Sequence, residues 1–392
     1  MKFGAVVAVA LATGLMATAC GSSNTSTGSK HRVPPTASMK PLDKVGAGEG
    51  LLNLIAWEGY VDDSWKKSFE QTTGCQVHAQ YAGSSDEMVS LMQSGGGGQW
   101  DMVSASGDAD LRLIYGGDVK PMNEKLITDW PNFQTYFKNP QYNTIDGIHY
   151  GISLQWGPNV LLYNTNKFKI PPTSWSAVYD NSNKGLVTAY DYPITIADAA
   201  LYLSKSQPSL GIKDPYELTK KQFDATVALL MQQRQLIKKY WPSASEEISM
   251  FQNGDAFIGA AWPYQTIQLK AAGAPVADTI PSEGATGWGD TWMLATKAPH
   301  PNCAYLWTQY VSTAKVQAEQ ALFFGETPVN TKACGEMEAL QAGSCAQYHA
   351  SEPGSYIDTI HFWKTPETTC ADGSENCIPY DQWVSAWTTI KG

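Results

Sequence analysis

An apolar run at residues 51–56 has the length of a strand, and residues 62–72 set Trp65 and Phe69 four apart among charges, which predicts an amphipathic helix. Residues 75–81 predict a second strand. Ser84 with Glu87 three positions on has the pattern of a capping box opening a helix through Met92, and the glycines at 95–98 end it. A strand at 100–105 and a helix at 108–115 continue an alternation that predicts right-handed βαβ units with a mostly parallel sheet. After Tyr150 the pattern changes to two extended stretches, 150–154 and 160–164, with a Gly157-Pro158 turn between them, as suits a crossover between lobes. A second series follows: strand 186–189, helix 195–203, a long helix 224–240, strand 256–260 and helix 263–272. Residues 292–295 predict a return strand, 302–323 a helix broken near Thr313, and 383–390 a closing helix.

Ahead of this body, Met1 and Lys2 make a basic start and residues 3–17 an apolar run too short for a lasting membrane span. Ala17-Thr18-Ala19-Cys20 then places small residues before a cysteine. The pattern is that of a lipoprotein signal over 1–19, with lipid expected on the Cys20 thiol. Residues 21–44 are rich in Ser, Thr, Gly and Pro with no apolar periodicity, and 20–49 reads as a flexible tether, so folding is expected to start near Gly50. No later stretch approaches the length of a membrane span, and the expected location is the extracytoplasmic face of the cell membrane, held there by lipid.

The net charge of −10 argues against a nucleic-acid partner and is compatible with a small cationic one. Seven cysteines less Cys20 leave an even number, which outside the cytoplasm suggests disulfides. Several connectivities are open. Cys334 with Cys345, and Cys370 with Cys377, would each close a short loop, leaving Cys75 with Cys303. The histidines are scattered without HxH or HExxH spacing, so no metal site and no cofactor are expected.

A set of ordered fragments resembles the extracytoplasmic solute-binding proteins of ABC importers, and within them the spermidine/putrescine-binding branch. The fragments are Trp57-Glu58-Gly59-Tyr60, Trp100-Asp101-Met102-Val103 leading to Ser106, the 116–123 passage ending Pro121-Met122-Asn123, and Trp156-Gly157. Further on come 251–260 running into Trp262, Pro281-Ser282-Glu283-Gly284, Trp288-Gly289-Asp290, and Gly325-Glu326-Thr327-Pro328-Val329-Asn330. The resemblance spans about 51–324 and thins beyond Thr331. It implies an α/β fold of the type II periplasmic-binding kind: two lobes with mostly parallel sheets that close on a ligand about a hinge. The first lobe is expected from 50–160 plus about 293–335, and the second from 161–292 plus about 336–392. The resemblance further implies that Trp57, Tyr60 and Ser106 face a ligand from the first lobe, and Trp262, Trp288 and Asp290 from the second lobe and the return segment. It also implies a monomer that hands its ligand to permease subunits.

A polyamine is a flexible apolar chain carrying ammonium groups, so its receptor needs carboxylates at the nitrogens and flat apolar walls along the methylenes. If 288–292 is extended, Trp288, Asp290 and Trp292 point to one side and the carboxylate lies between two indoles. Glu58 lies in the same loop as Trp57. By resemblance, the acidic pair expected after strand 186–189 is replaced by Tyr192 and Thr195, with Asp191 close by, while Asp108 and Glu326 stand where tyrosines are usual. Carboxylates have moved within the cleft, which supports a cationic ligand in general, a polyamine first, with guanidinium compounds and quaternary amines also fitting. Trp65, Trp307 and Trp387 fall on apolar helix faces and are expected in the core. Two other readings stay open: a lipid-anchored glycan hydrolase using Asp290 and Glu326 as paired carboxylates, and a non-transport sensor of the same fold. There is no G-x-S-x-G elbow and no phosphate-loop Lys-Ser/Thr after the glycines at 95–98, so no enzymatic role is expected.

Overall fold

The computed structural model describes residues 32–94, 98–351 and 353–392; the expected leader and Cys20 lie outside them. The strand Leu51–Trp57 pairs in parallel with Gln76–Ala82 on one side and Met102–Ser106 on the other. Between the first two, the helix Asp63–Thr73 starts where the Asp62 carboxylate accepts from the Ser64 N–H and ends at left-handed Gly74. It buries Trp65 and Phe69 in the first core, Trp65 beside Phe323 and Phe69 beside Trp307, on the face its spacing predicts. Ser84 accepts from the Glu87 N–H at 3.2 Å ahead of the helix Ser85–Ser94, but Glu87 reaches back to the Gly83 N–H rather than closing the box on Ser84.

Among the described residues two main sheets form. The first is seven-stranded, in the order Thr327–Pro328, Gly151–Pro158, Ala285–Leu294, Met102–Ser106, Leu51–Trp57, Gln76–Ala82, with Ile360–Phe362 beside Ala285–Leu294. The second is five-stranded: Val276–Thr279, Val160–Asn164, Ile258–Ala261, Val187–Tyr190, Ile237–Trp241. Each has its own apolar core. The α/β class holds, and each sheet is mixed: the βα series contribute parallel pairs, whereas the strands on which the chain changes lobe pair antiparallel.

The crossover differs from the expected turn. Gly151–Pro158 runs as one strand through Gly157-Pro158, and after Asn159 the chain continues as Val160–Asn164 in the other sheet. Asn159 ties this crossing to the next one, its N–H donating to the Thr286 carbonyl at 2.7 Å and its amide to the Thr286 hydroxyl at 2.6 Å. The return strand is Ala285–Leu294, fully buried, and it belongs to the first sheet. Trp288 and Asp290 therefore stand on the first lobe, not on the second as the boundary near 293 implied.

The long helix expected over 224–240 is instead the helix Lys220–Gln233 followed by the strand Ile237–Trp241. Ile237-Lys238-Lys239-Tyr240-Trp241 buries Trp241 and pairs in parallel with Val187–Tyr190, so sheet completion overrides helical continuity there. The helix pair Pro301–Val311 and Ala314–Phe324 breaks near Thr313 as expected.

The tether expectation fails for its second half. Thr36 is buried and donates to the Val119 carbonyl at 2.8 Å, Leu42 and Val45 pack on the first core, and Leu42 accepts from the Asn123 amide at 3.0 Å. Glu49 accepts from the N–H groups of Asn302 and Cys303 at the start of Pro301–Val311, where orphan helix donors favour a carboxylate. Polar composition concealed this because the contacts are made by backbone, caps and two isolated apolar residues. Three disulfides form with the expected pairing, Cys75–Cys303, Cys334–Cys345 and Cys370–Cys377. The C-terminal region does not stay in the second lobe. Ala333–Leu340 packs on Ala314–Phe324 and Ile360–Phe362 joins the first sheet, before Tyr380–Lys391 packs on Lys220–Gln233 in the second lobe.

Candidate functional site

Leu51–Trp57 ends on Trp57, whose ring meets that of Trp262 at the end of a second-sheet strand, so the site lies at strand ends, the usual ligand position in open α/β sheets. Trp57 closes its strand, a turn through Gly59 (φ 91) follows, and Tyr60 folds back with its N–H on the Trp57 carbonyl. Ser106 is the register partner of Asp290, so two neighbouring strands bring its hydroxyl to the Asp290 carboxylate. The other Asp290 oxygen accepts from the Tyr60 hydroxyl, which also lies 3.4 Å from the Glu326 carboxylate. Glu326 is positioned by left-handed Gly325 at the end of Ala314–Phe324; a Cβ at 325 would meet Ile267 at 2.5 Å. Two buried acids are thus gathered around one phenol.

The walls are aromatic. Trp262 ends the second-lobe strand Ile258–Ala261 and lies 6.2 Å from Trp57 and 5.9 Å from Trp288, ring centre to ring centre, so indoles of the two lobes meet. Trp288 lies over Gly157, where a Cβ would come within 2.7 Å of the indole. Trp363 stands 6.1 Å beyond Trp288. These rings and the acid pair line a cavity of about 270 Å³ between the lobes, with Tyr264 and Phe324 on its wall and Glu58 exposed among its lining residues. No lysine, arginine or histidine is among the lining residues.

Burial governs the electrostatics. It pushes the Asp290 carboxyl up to about 7, against the hydrogen bonds from Ser106 and Tyr60 that favour the charged form. Burial, then the nearby Asp290 charge, raises Glu326 well above the ordinary carboxylate range, with Tyr60 and Trp288 opposing. A cation set against this pair favours ionisation of both acids and gains from both.

Of the sequence-predicted residues, Trp57, Glu58, Tyr60, Ser106, Trp262, Trp288, Asp290 and Glu326 line the cavity together. Asp108 and Asp191 do not. Asp108 is turned into an interlobe network, accepting from the Tyr192 hydroxyl at 2.6 Å and Ser85 at 2.9 Å with Arg112 at 4.0 Å. Asp191 pairs with Lys391 at 2.6 Å and accepts from the Trp387 indole. Residues 290–294 pair with Met102–Ser106 in unbroken register, as the extended reading expects, but Trp292 does not line the cavity and packs in the core at 5.9 Å from Trp307. Sequence reasoning missed Trp363, Tyr264, Tyr81 and Ser243. For Trp363 a signal existed in the Ile360-His361-Phe362-Trp363 stretch, whose first three residues form the added strand.

Two α/β lobes joined by crossing strands, with a ring-lined cavity at the strand ends, define the clamp class of ligand receptor. The model of the bacterial extracellular solute-binding protein family matches residues 64–342, and the chain belongs to that family, which places it outside the cytoplasm. A putrescine/agmatine-binding protein of Pseudomonas aeruginosa is 23% identical over 335 residues, covering 81% of this chain and 88% of that one. A putrescine/cadaverine-binding protein of the same organism is 24% identical over 284 residues, covering 68% and 76%. The solved spermidine/putrescine ABC transporter substrate-binding protein PotD from Streptococcus pneumoniae superposes with a TM-score of 0.67 at 17% identity, covering 87% of this chain and 99% of that one. At that identity the likeness shows the fold. No helix of the described residues is long and apolar enough to cross a membrane.

Proposed function

We propose that this chain is a lipid-anchored receptor, tethered through Cys20 on the extracytoplasmic face of the cell membrane, that captures a small organic cation and delivers it to an ABC permease without chemical turnover. The observation that carries the reading is the buried Asp290–Glu326 pair in a ring-lined cavity whose lining side chains include no lysine, arginine or histidine. A polyamine is the ligand class best supported, since relatives named for putrescine, agmatine and cadaverine share most of this chain's length.

The energetics are consistent with such a ligand. One ammonium at about 4 Å from a carboxylate gains about 4 kcal/mol at an effective dielectric near 20, before desolvation. An indole face adds about 0.5–2 kcal/mol. Micromolar affinity requires about 8 kcal/mol, so two carboxylates and several rings have to act together. Trp262, with Trp57 and Trp288 each beside it, offers ring faces for that purpose.

Mass spectrometry of the small molecule released from purified, denatured protein tests the reading. An organic amine or guanidine is expected. Recovery of a neutral sugar, together with no tryptophan fluorescence response to any amine, would overturn it. The hydrolase reading, with Asp290 and Glu326 as acid and base, predicts product from a glycan on prolonged incubation; none is expected.

A further inference from the structure

The two lobes contribute to the cavity unequally. Every acid that lines it stands on first-lobe segments: Asp290 on the Ala285–Leu294 strand, Glu326 after Ala314–Phe324, and Glu58 in the loop after Leu51–Trp57. Asp290 and Glu326 both reach the Tyr60 hydroxyl, so they form one anionic point rather than two separated ones. Glu58 is exposed, where a charge pair is screened and worth little.

The second lobe adds Ser243, Ala244, Trp262 and Tyr264, none of them charged. Its nearby acids, Asp191 and Glu247, are not among the lining residues, although one Glu247 oxygen is buried without a hydrogen-bond partner among the described residues. Asp191 is held by Lys391 and Trp387, and Glu247 lies buried against the Gln265 amide at 3.2 Å. On the first lobe, Asp108 and Asp86 are held by Arg112 and by the tyrosines at 192 and 380. An extended diamine therefore meets a carboxylate pair on the first-lobe side and rings, hydroxyls and a methyl group on the second-lobe side.

We infer that the cavity recognises a single cationic head, an ammonium or guanidinium set on Asp290 and Glu326, and that the far end of the ligand is held by the second lobe through stacking and a hydrogen bond rather than by charge. This rests on the cationic-ligand reading above and narrows it. The favoured solute carries one buried positive charge and a tail for which a second charge is dispensable. Chain length is then a soft variable, because no second carboxylate fixes the spacing.

The test is calorimetric titration of the purified protein with matched probes: 1,4-diaminobutane against butylamine and butylguanidine, then diamines of increasing length. Expected are dissociation constants for the best singly charged probe within about fivefold of the diamine, and a length dependence within about tenfold across the series. A diamine preferred by more than about fivefold, or one length preferred by more than about tenfold, overturns the single-head inference while leaving a cation receptor intact. Binding of none of these cations overturns the underlying reading as well, so the two failures are told apart.

Discussion

Asp290 and Asp108 are both buried carboxylates near the facing ends of the first sheet, yet one has a protein cation beside it and the other does not. Asp108 belongs to a network that spans the lobes: Arg112 pairs with Asp86 at 2.5 Å and lies 4.3 Å over the Tyr380 ring, whose hydroxyl donates to Asp86 at 2.8 Å. Asp290 has only hydroxyls and a second acid. Burial raises both, Asp108 to about 6 with Arg112 opposing and Asp290 to about 7 with hydrogen bonds from Ser106 and Tyr60 opposing. A buried acid paired within the chain contributes to the fold and to lobe contact, whereas one surrounded by rings and hydroxyls is arranged to gain from an added cation.

The contrast is sharpest in paired substitutions. Asp290→Asn with Glu326→Gln removes the anionic point and is expected to weaken cation binding by about 3–4 kcal/mol, a factor of about 100–1000, in calorimetry. Thermal unfolding of the ligand-free double variant is expected at the wild-type temperature or above it, because two costly buried acids become neutral. A large drop in unfolding temperature would make the pair structural and dissolve the contrast.

Arg112→Ala is expected to do the reverse. It leaves Asp108 buried without its cation and lowers stability by about 2–3 kcal/mol in denaturant unfolding, while the Asp290 site keeps its own partners. Equal loss in both assays would show that the two clusters act as one.

Trp288→Ala is expected to weaken cation binding by about 2 kcal/mol, read as tryptophan fluorescence titration, since it removes a ring face and the surface covering Gly157.

The smallest expected effect is with pH. Asp290 faces Tyr60, Ser106 and Glu326, with the Asp108 charge behind it, and its carboxyl sits near 7. Binding of a cation gains from the ionised form, so affinity is expected to fall by up to about tenfold per pH unit as pH drops below 7. Stability of the ligand-free protein runs the other way. A carboxyl raised from 3.8 to about 7 contributes stability below 3.8 that is lost as pH rises through 7. The wild-type protein should therefore lose ground to Asp290→Asn between these values; a flat difference would place the titration elsewhere.

Much of the architecture was legible in the chain. Strand–helix alternation from 51 to 116, the extended stretches after Tyr150 and the helix break at Thr313 are local patterns that survive packing. What was not legible depended on distant partners. Residues 237–241 form a strand because Val187–Tyr190 offers an edge, and residues 33–49 pack because helix donors and a core face lie beside them. The cavity shows the same division. Trp57, Tyr60, Trp262, Trp288 and Asp290 were recognisable from the resemblance, while Trp363 arrives from a segment whose added strand pairs with Ala285–Leu294.

The order of residues alone settled which segments bury, which cysteines could pair across short loops, and that indoles and carboxylates recur at strand ends. Folding decided which carboxylates are satisfied within the chain. Asp108, Asp191 and Asp290 are alike as letters, and only the tertiary structure sets Arg112 beside the first, Lys391 beside the second and Glu326 near the third. The reason is physical: periodicity reports burial, which is a property of a local segment, whereas the state of a buried charge depends on what stands within a few ångströms, and that neighbour comes from residues far away in the chain.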